Sequence, residues 1–324
     1  MNKFKWAYIG CGGIAQITAA ELIQTADNEI TAVWNRTREK AEKFAEIYGG
    51  QVYDTALEAI RAPEVEGVYI NVNGDQHAYF TRLCLEAGKP VLCEKPFTEN
   101  AAVTRELFNY AHRQKVYVSE AMWTWHNKPA LKVKDWIQSQ AIGDMEDVVC
   151  AFEIPLLEQT DNPRLTTPEM LGGALLDLGI YTIRYIYELF GPPLSIQCAG
   201  HMEEVDLSDQ IVMNYGNFKA TLLVSMEKEG GHYFEAKGTK GSIHVPYFHA
   251  AHKAILEVEG QTEAFTTNDL LYGQQFSNVA EEIRSGRKTG LKISAESTLA
   301  VMELMDECRR QMGLVYPQEK TGTE

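Results

Sequence analysis

The chain has no Cys-x-x-C pair, no basic block and no long apolar run. Its six cysteines (Cys11, Cys84, Cys93, Cys150, Cys198, Cys308) are scattered among mostly apolar neighbours, which suits reduced, buried thiols rather than a disulfide framework or a zinc cage. Positive charge is in deficit: 30 Lys and Arg against 45 Asp and Glu leave a formal net charge of −15. The densest cationic run, residues 36–43, is interleaved with Glu39 and Glu42. Such a surface repels a phosphate backbone or an anionic leaflet, so the reading is no nucleic acid and no membrane. Nothing approaches the roughly 18 to 20 apolar residues of a membrane span, and Met1 to Lys5 leads straight into a strand-like segment without a signal-peptide core, so a cytoplasmic location is expected. The 25 Gly and 11 Pro are too few for a fibrous or disordered chain. In the second half the only close histidine pair is His249-x-x-His252, with His244 upstream. No helix would bring those rings onto one face and no carboxylate is suitably spaced; they read as partly exposed loop histidines, and no metal is expected.

What is present is an ordinary globular composition, 45% hydrophobic and 23% charged, over 324 residues, enough for about two domains with sizeable cores. The first 120 residues alternate short apolar runs (5–9, 30–34, 68–72, 90–93, 116–119) with amphipathic segments (14–24, 39–48, 56–61, 76–87, 101–114). That alternation builds a parallel sheet with helices on both faces. Gly49-Gly50 and Gly88-Lys89-Pro90 supply stop signals, and Asn100 reads as an N-cap. After about residue 122 two helices (130–139 and 172–190) precede strands at 195–200, 210–215, 218–227, 233–238, 241–246 and 254–258. Gly216-Asn217 and Gly230-Gly231 mark turns between them, so a large, mainly antiparallel open sheet is expected. Helices return at 273–285 and 295–312, the latter after Ser294 and ending at Gly313. The predicted architecture is α/β: a doubly wound domain over 1–121 and an α/β domain over 122–324, with the last helix free to return to the first domain.

Gly10-Cys11-Gly12-Gly13-Ile14-Ala15 follows the first strand and opens the first helix. In a G-x-G-x-x-G/A turn the first glycine makes the bend, the second admits a pyrophosphate and the third small residue lets helix and strand close, so a dinucleotide site is expected here. The end of the second strand reads Trp34-Asn35-Arg36-Thr37 and lacks the acid that would bind a free ribose 2′-hydroxyl. Arg36, with Asn35 and Thr37 as neutral partners, suits a 2′-phosphate, so NADP is preferred over NAD. Glu94-Lys95-Pro96 ends a strand at the edge where ligands bind in such sheets. On position alone, a surface lysine paired with its neighbouring glutamate remains an equal reading. Gly172-Gly173 leads into Ala174 to Tyr181, where Asp177 and Tyr181 are four apart and share a helical face. Interior glycines cost a helix about 1 kcal/mol each, so their presence points to a close backbone approach.

With these three motifs in this order, the chain resembles the Gfo/Idh/MocA oxidoreductases, the family of glucose-fructose oxidoreductase and inositol dehydrogenase. Residues 120–124, 173–181 and 314–318 look most like the branch of dimeric dihydrodiol dehydrogenases and NADP-dependent D-xylose 1-dehydrogenases. The resemblance implies an N-terminal Rossmann domain, a C-terminal sheet used for homodimerisation and an active site between the domains. It maps the family's dinucleotide loop onto Gly10, Gly12 and Ala15, its lysine onto Lys95 beside Glu94, with Pro96 after a cis bond, and its cofactor-proximal asparagine and histidine onto Asn71 and His77. The substrate expected is a small sugar, polyol or trans-dihydrodiol. Tyr181 stands where many members have histidine, and Trp125-His126-Asn127 departs from the arginine and phenylalanine common in relatives.

Oxidising a secondary alcohol or hemiacetal requires hydride to leave carbon while a base takes the hydroxyl proton. A tyrosine, with an ordinary pKa of about 10, is a poor base at neutral pH, and a nearby lysine cation favours its phenolate. Tyr181 is therefore read as the general acid/base and Lys95 as its activator and substrate anchor. Asp177 orients the substrate and Trp123 forms a pocket wall. The competing reading is an NADP-binding sensor of the same fold without catalysis.

Overall fold

The structure, a computed structural model, describes residues 2–320. The chain divides into two compact units, residues 1–126 with 270–298, and residues 127–269 with 299–324. The first crossing falls after His126, where the sequence reading placed a boundary after residue 121.

The first unit holds six parallel strands: β1 (Phe4–Ile9), β2 (Asn28–Trp34), β3 (Gln51–Val52), β4 (Gly67–Ile70), β5 (Val91–Glu94) and β6 (Val118–Ala121). Their order is β3-β2-β1-β4-β5-β6. The intervening helices are α1 (Gly13–Leu22), α2 (Arg38–Tyr48), α3 (Ala56–Arg61), α4 (His77–Glu86) and α5 (Ala101–Gln114). Successive side chains of β1 feed opposite cores. Ala7 and Ile9 join the cluster containing Ile60, Cys84, Leu85 and Leu107. Trp6 and Tyr8 face α1 and α2 in a second cluster with Ala15, Leu22 and Phe44. That second cluster is completed by Phe276, Val279 and Ala280 from far along the chain. Phe276 packs edge-on against Trp6 at 5.4 Å and Tyr69 at 5.0 Å, which explains why residues 270–298 return to this unit. Local signals act as read: Asn100 Oδ1 accepts from the Val103 amide at 2.9 Å, and Gly49 and Gly88 adopt φ of +87° and +70°. Thr55 and Glu58 form a reciprocal cap on α3.

The second unit contains α6 (Lys128–Gln138), β7 (Met145–Glu153), the short α7 (Leu156–Gln159) and α8 (Ile180–Phe190). There follow β8 (Ser195–Met202), β9 (Asp206–Asn214), β10 (Lys219–Ser225), β11 (His232–Gly238), β12 (Gly241–Pro246), β13 (Lys253–Val258) and β14 (Gln261–Thr266). They form one sheet, β14-β13-β12-β11-β7-β10-β9-β8, antiparallel except for the β7–β10 pair. Strands β7 and β14 were not read from the sequence. The adjacent exposed acids Glu146 and Asp147 break the alternation in β7, and β14 is an exposed edge with only Phe265 half-buried. The remaining helices are α9 (Gly273–Arg284) in the first unit, α10 (Ala295–Met312), whose first turn belongs to the first unit and the rest to the second, and α11 (Pro317–Lys320). Among the described residues no helix is long and apolar enough to cross a membrane.

Candidate active site

In the first unit a cleft of about 470 Å³ opens where the carboxyl ends of β1, β2 and β4 meet the start of α1. Gly10, Cys11, Gly12, Asn35, Arg36, Thr37 and Asn71, all singled out by sequence, line it. Gly10 has φ of +105°, and a Cβ there would lie 2.9 Å from the Asn71 carbonyl oxygen, so no other residue fits the bend. Around Gly12 and Gly13 there is open space, and α1 is preceded by Gly12 as its cap residue, which offers no side-chain cap and leaves the first amides for an anion. Ile14 is half-buried at the start of α1, and Ala15 is fully buried where the helix closes on β1. Burial pushes the Cys11 thiol up to about 12, so it packs as a neutral group.

Asn35 ties the loop to β2: its Oδ1 accepts from the Cys11 amide at 3.1 Å and its Nδ2 donates to the Thr37 carbonyl at 2.9 Å. Arg38 is engaged by Glu42 and Asp54, whereas Arg36 has no ion-pair partner among the described residues. Lys40, which sequence reasoning missed, lines the cleft from the first turn of α2, and its place in the cationic run 36–43 was the available signal. Asn71 is 5% exposed and both polar atoms of its amide lack a partner. An orphaned amide, a glycine cradle and uncommitted cations in one cleft fit a phosphate-bearing dinucleotide.

His77, Glu94 and Lys95 are not among the lining residues of that cleft; they form and brace the turn after β5. His77 Nδ1 lies 2.8 Å from the Pro96 carbonyl oxygen and Nε2 3.1 Å from that of Val72, and burial holds the ring below the ordinary histidine range. The Phe97 amide donates to Glu120 Oε1 at 3.1 Å, a buried contact that no local pattern announces. The Lys95–Pro96 peptide is cis. Glu94 accepts from the Tyr69 hydroxyl and, at 3.2 Å, from the Lys95 amide. Burial raises its carboxyl to about 7, despite the Tyr69 bond and the Lys95 charge that oppose the shift. Trp123 is 1% exposed and packs against Tyr272, with ring centroids 4.3 Å apart and the rings tilted by 34°.

In the second unit residues 172–190 do not form one helix. Gly172 and Gly173 enter a π-helical turn, Leu175–Gly179, from which α8 continues. Such wide turns recur at functional sites. The close approach inferred from the glycines is real: a Cβ on Gly172 would lie 2.7 Å from the Leu165 carbonyl oxygen, and one on Gly173 2.2 Å from Asp206 Oδ1. Asp206 Oδ2 accepts from the Leu175 amide at 2.5 Å, fixing the start of the turn. Asp177 is held by Arg164, whose guanidinium donates to both carboxylate oxygens at 3.2 to 3.3 Å. Arg164 was missed because it sits in an irregular segment with no periodicity. Tyr181 is 8% exposed, with Phe152 at 5.8 Å and His249 at 5.4 Å between ring centroids. His249 is half-buried in a turn, in keeping with its reading as a partly exposed loop residue, and is hydrogen-bonded to His232, a partner the sequence did not suggest.

Comparison with known proteins agrees with this arrangement. Residues 4–122 match the oxidoreductase family with an NAD-binding Rossmann fold, and residues 130–244 match the GFO/IDH/MocA C-terminal domain. The chain is 30% identical to a trans-1,2-dihydrobenzene-1,2-diol dehydrogenase of Xenopus laevis, over 97% of this chain and 99% of that protein. It is 26% identical to a D-xylose 1-dehydrogenase (NADP(+)) of Hypocrea jecorina, over 97% and 93% of the two. A 3-ketoreductase from Actinomadura kijaniata, solved with NADP and TDP-benzene, shares the fold with a TM-score of 0.85 at 23% identity, over 96% and 98% of the chains. Matched in both halves and along its whole length, the chain belongs to the Gfo/Idh/MocA family of oxidoreductases and is an NAD(P)-dependent dehydrogenase acting on CH–OH groups.

Proposed function

We propose that the enzyme prefers NADP and moves hydride between its nicotinamide and a secondary alcohol or hemiacetal carbon of a sugar, polyol or trans-dihydrodiol. The observation that carries the reading is the joint presence of Lys95 on a braced turn and Tyr181 following the Arg164-held Asp177. The names of the dihydrodiol and xylose relatives support the substrate class. When bound, the nicotinamide supplies the hydride acceptor or donor. Gly10, Gly12 and the first amides of α1 hold the pyrophosphate, and Arg36 with Lys40 holds the 2′-phosphate. Tyr181 takes or gives the hydroxyl proton, Lys95 favours its phenolate and anchors the substrate oxygen, and Asp177 orients a neighbouring hydroxyl. Trp123 serves as a wall of the substrate pocket.

A substrate panel of sugars, inositols and trans-dihydrodiols, followed by nicotinamide absorbance with both cofactors, tests the reading. Lys95→Met and Tyr181→Phe are each expected to lower turnover by about two to four powers of ten with little change in NADPH affinity. Full activity in both variants refutes these roles. Tight NADPH binding without turnover on any substrate indicates the sensor reading instead.

The enzyme is further proposed to dimerise through the open face of the eight-stranded sheet, where Val212, Leu223 and Tyr233 are half-buried rather than covered. A cytoplasmic location is proposed on its six free cysteines.

A further inference from the structure

Beside Tyr181 lies a group that the reaction as described does not use. His232 opens β11 opposite Phe152 of β7, and His249 sits in the turn Phe248–Ala250 after β12. His232 Nε2 and His249 Nδ1 are 2.7 Å apart, a hydrogen bond in which one ring donates and the other accepts. Both rings lie on Phe152, at 4.3 and 4.4 Å between centroids. His249 meets Tyr181 at 5.4 Å with the rings at 67°, while Tyr247, 63% exposed, stands against His232 at 4.9 Å. His249 therefore contacts the nearly buried Tyr181 and also His232, and His232 contacts the exposed Tyr247.

A neutral imidazole has one N–H and one acceptor nitrogen. Two neutral rings sharing one hydrogen bond form a chain with a direction: one end accepts a proton and the other releases one. Reversing the two tautomers reverses the direction, as a reversible reaction needs. Burial pushes His232 down to about 4, which keeps it neutral at working pH. Among titratable groups, Tyr181 from α8 meets His249 and Tyr247 meets His232, while Tyr185 from α8 lies against Phe248 in the same turn. On β7, Phe152 is apolar, and the neighbouring Glu153 is engaged by Lys228 and the Gly231 amide.

We propose that the hydrogen-bonded pair His249–His232 is the proton relay that connects Tyr181 with solvent. The inference rests on Tyr181 being the acid/base. In oxidation the substrate hydroxyl proton goes to the Tyr181 oxygen as hydride leaves the carbon, and Tyr181 then passes a proton to His249 Nε2. The bridging proton moves from His249 Nδ1 to His232 Nε2, and the proton on His232 Nδ1 goes to water. One proton leaves for each hydride transferred, and both rings end neutral in the opposite tautomer. In reduction every transfer runs backwards.

The test uses the full-length enzyme with His249→Gln, His232→Gln and Tyr181→Phe. Each histidine variant is expected to lose about 10- to 100-fold in turnover, with KM for substrate and NADP unchanged, and to regain turnover when imidazole is added to the buffer. A purely structural role is not repaired by imidazole. His232, at a strand end, provides the second variant should His249→Gln disturb packing around Tyr181. Wild-type turnover in both histidine variants, or a loss that imidazole leaves untouched, overturns the relay while Tyr181→Phe remains inactive. Full activity in Tyr181→Phe overturns instead the acid/base assignment on which the relay rests.

Discussion

Asp206 and Asp209 give the sharpest stability prediction. Both are on β9, 0% and 5% exposed, and the charge of one disfavours the charge of the other. Asp206 also accepts from backbone amides, that of Leu175 at 2.5 Å, so it is the better placed of the two to carry the charge. Burial first, and then the Asp206 carboxylate, raises the Asp209 carboxyl well above the ordinary range. The folded pair therefore keeps a proton at neutral pH that the unfolded chain releases above about pH 4. A folded-state pKa above the unfolded value means stability that is complete below about pH 4 and is lost as pH rises towards the folded pKa. Each pH unit costs about 1.4 kcal/mol, so at pH 7 the retained proton costs about 4 kcal/mol relative to a group that never ionises. Asp209→Asn is such a group. Its amide places polar atoms in the core where the Asp209 oxygens have no hydrogen-bond partner, at a cost of about 1 to 3 kcal/mol. The variant should therefore be about 1 to 3 kcal/mol more stable than wild type at pH 7 and less stable below pH 4. Urea unfolding of both proteins at several pH values between 5 and 8 reads the difference directly. The wild type should lose ground by about 1.4 kcal/mol per pH unit, and parallel stability curves would refute the shared proton.

Other consequences follow from the two units. With Glu94 raised to about 7 beside Lys95, wild-type activity should show an ionisation near neutral pH that Glu94→Gln lacks; an unchanged pH profile refutes the link. Arg36→Ala should weaken NADP binding by about 10- to 100-fold and leave NAD binding nearly unchanged, as measured by fluorescence titration; Lys40→Ala should give a smaller loss of the same sign. Equal affinities in wild type and Arg36→Ala sink the 2′-phosphate assignment. Arg164→Ala removes the guanidinium clamp on Asp177 and should raise substrate KM by about tenfold, with Arg164→Lys only partly restoring it because an ammonium cannot engage both carboxylate oxygens as a fork does. An unchanged KM means that Asp177 does not need its clamp.

The parts that could be read from the sequence are those whose physics is local. Gly10 to Ala15 form a turn that only glycines and a small residue can make between a strand and a helix, so the dinucleotide cleft was legible from six residues. Alternation along β1 and the caps at Asn100 and Ser294 acted within a few residues, and the elements formed as read. Lys95 and Tyr181 were singled out through the resemblance of their motifs to those of the family, since position alone left Lys95 equally a surface residue. Tertiary structure decided which side chains met. Arg164 reaches Asp177 across 13 residues, His232 reaches His249 across 17, and Asp206 reaches Leu175 across 31. Phe276 enters the core of Trp6 and Tyr8 from the far end of the chain. These pairings depend on strand register and on which helix face lies against which strand, and a one-residue slip in a strand exchanges its two faces. Sequence thus determined the fold class and the glycine cradle, whereas folding selected the clamp on Asp177, the imidazole pair beside Tyr181 and the seating of Asp206 on the Leu175 amide, because each needs partners that only long-range packing can bring within hydrogen-bonding distance.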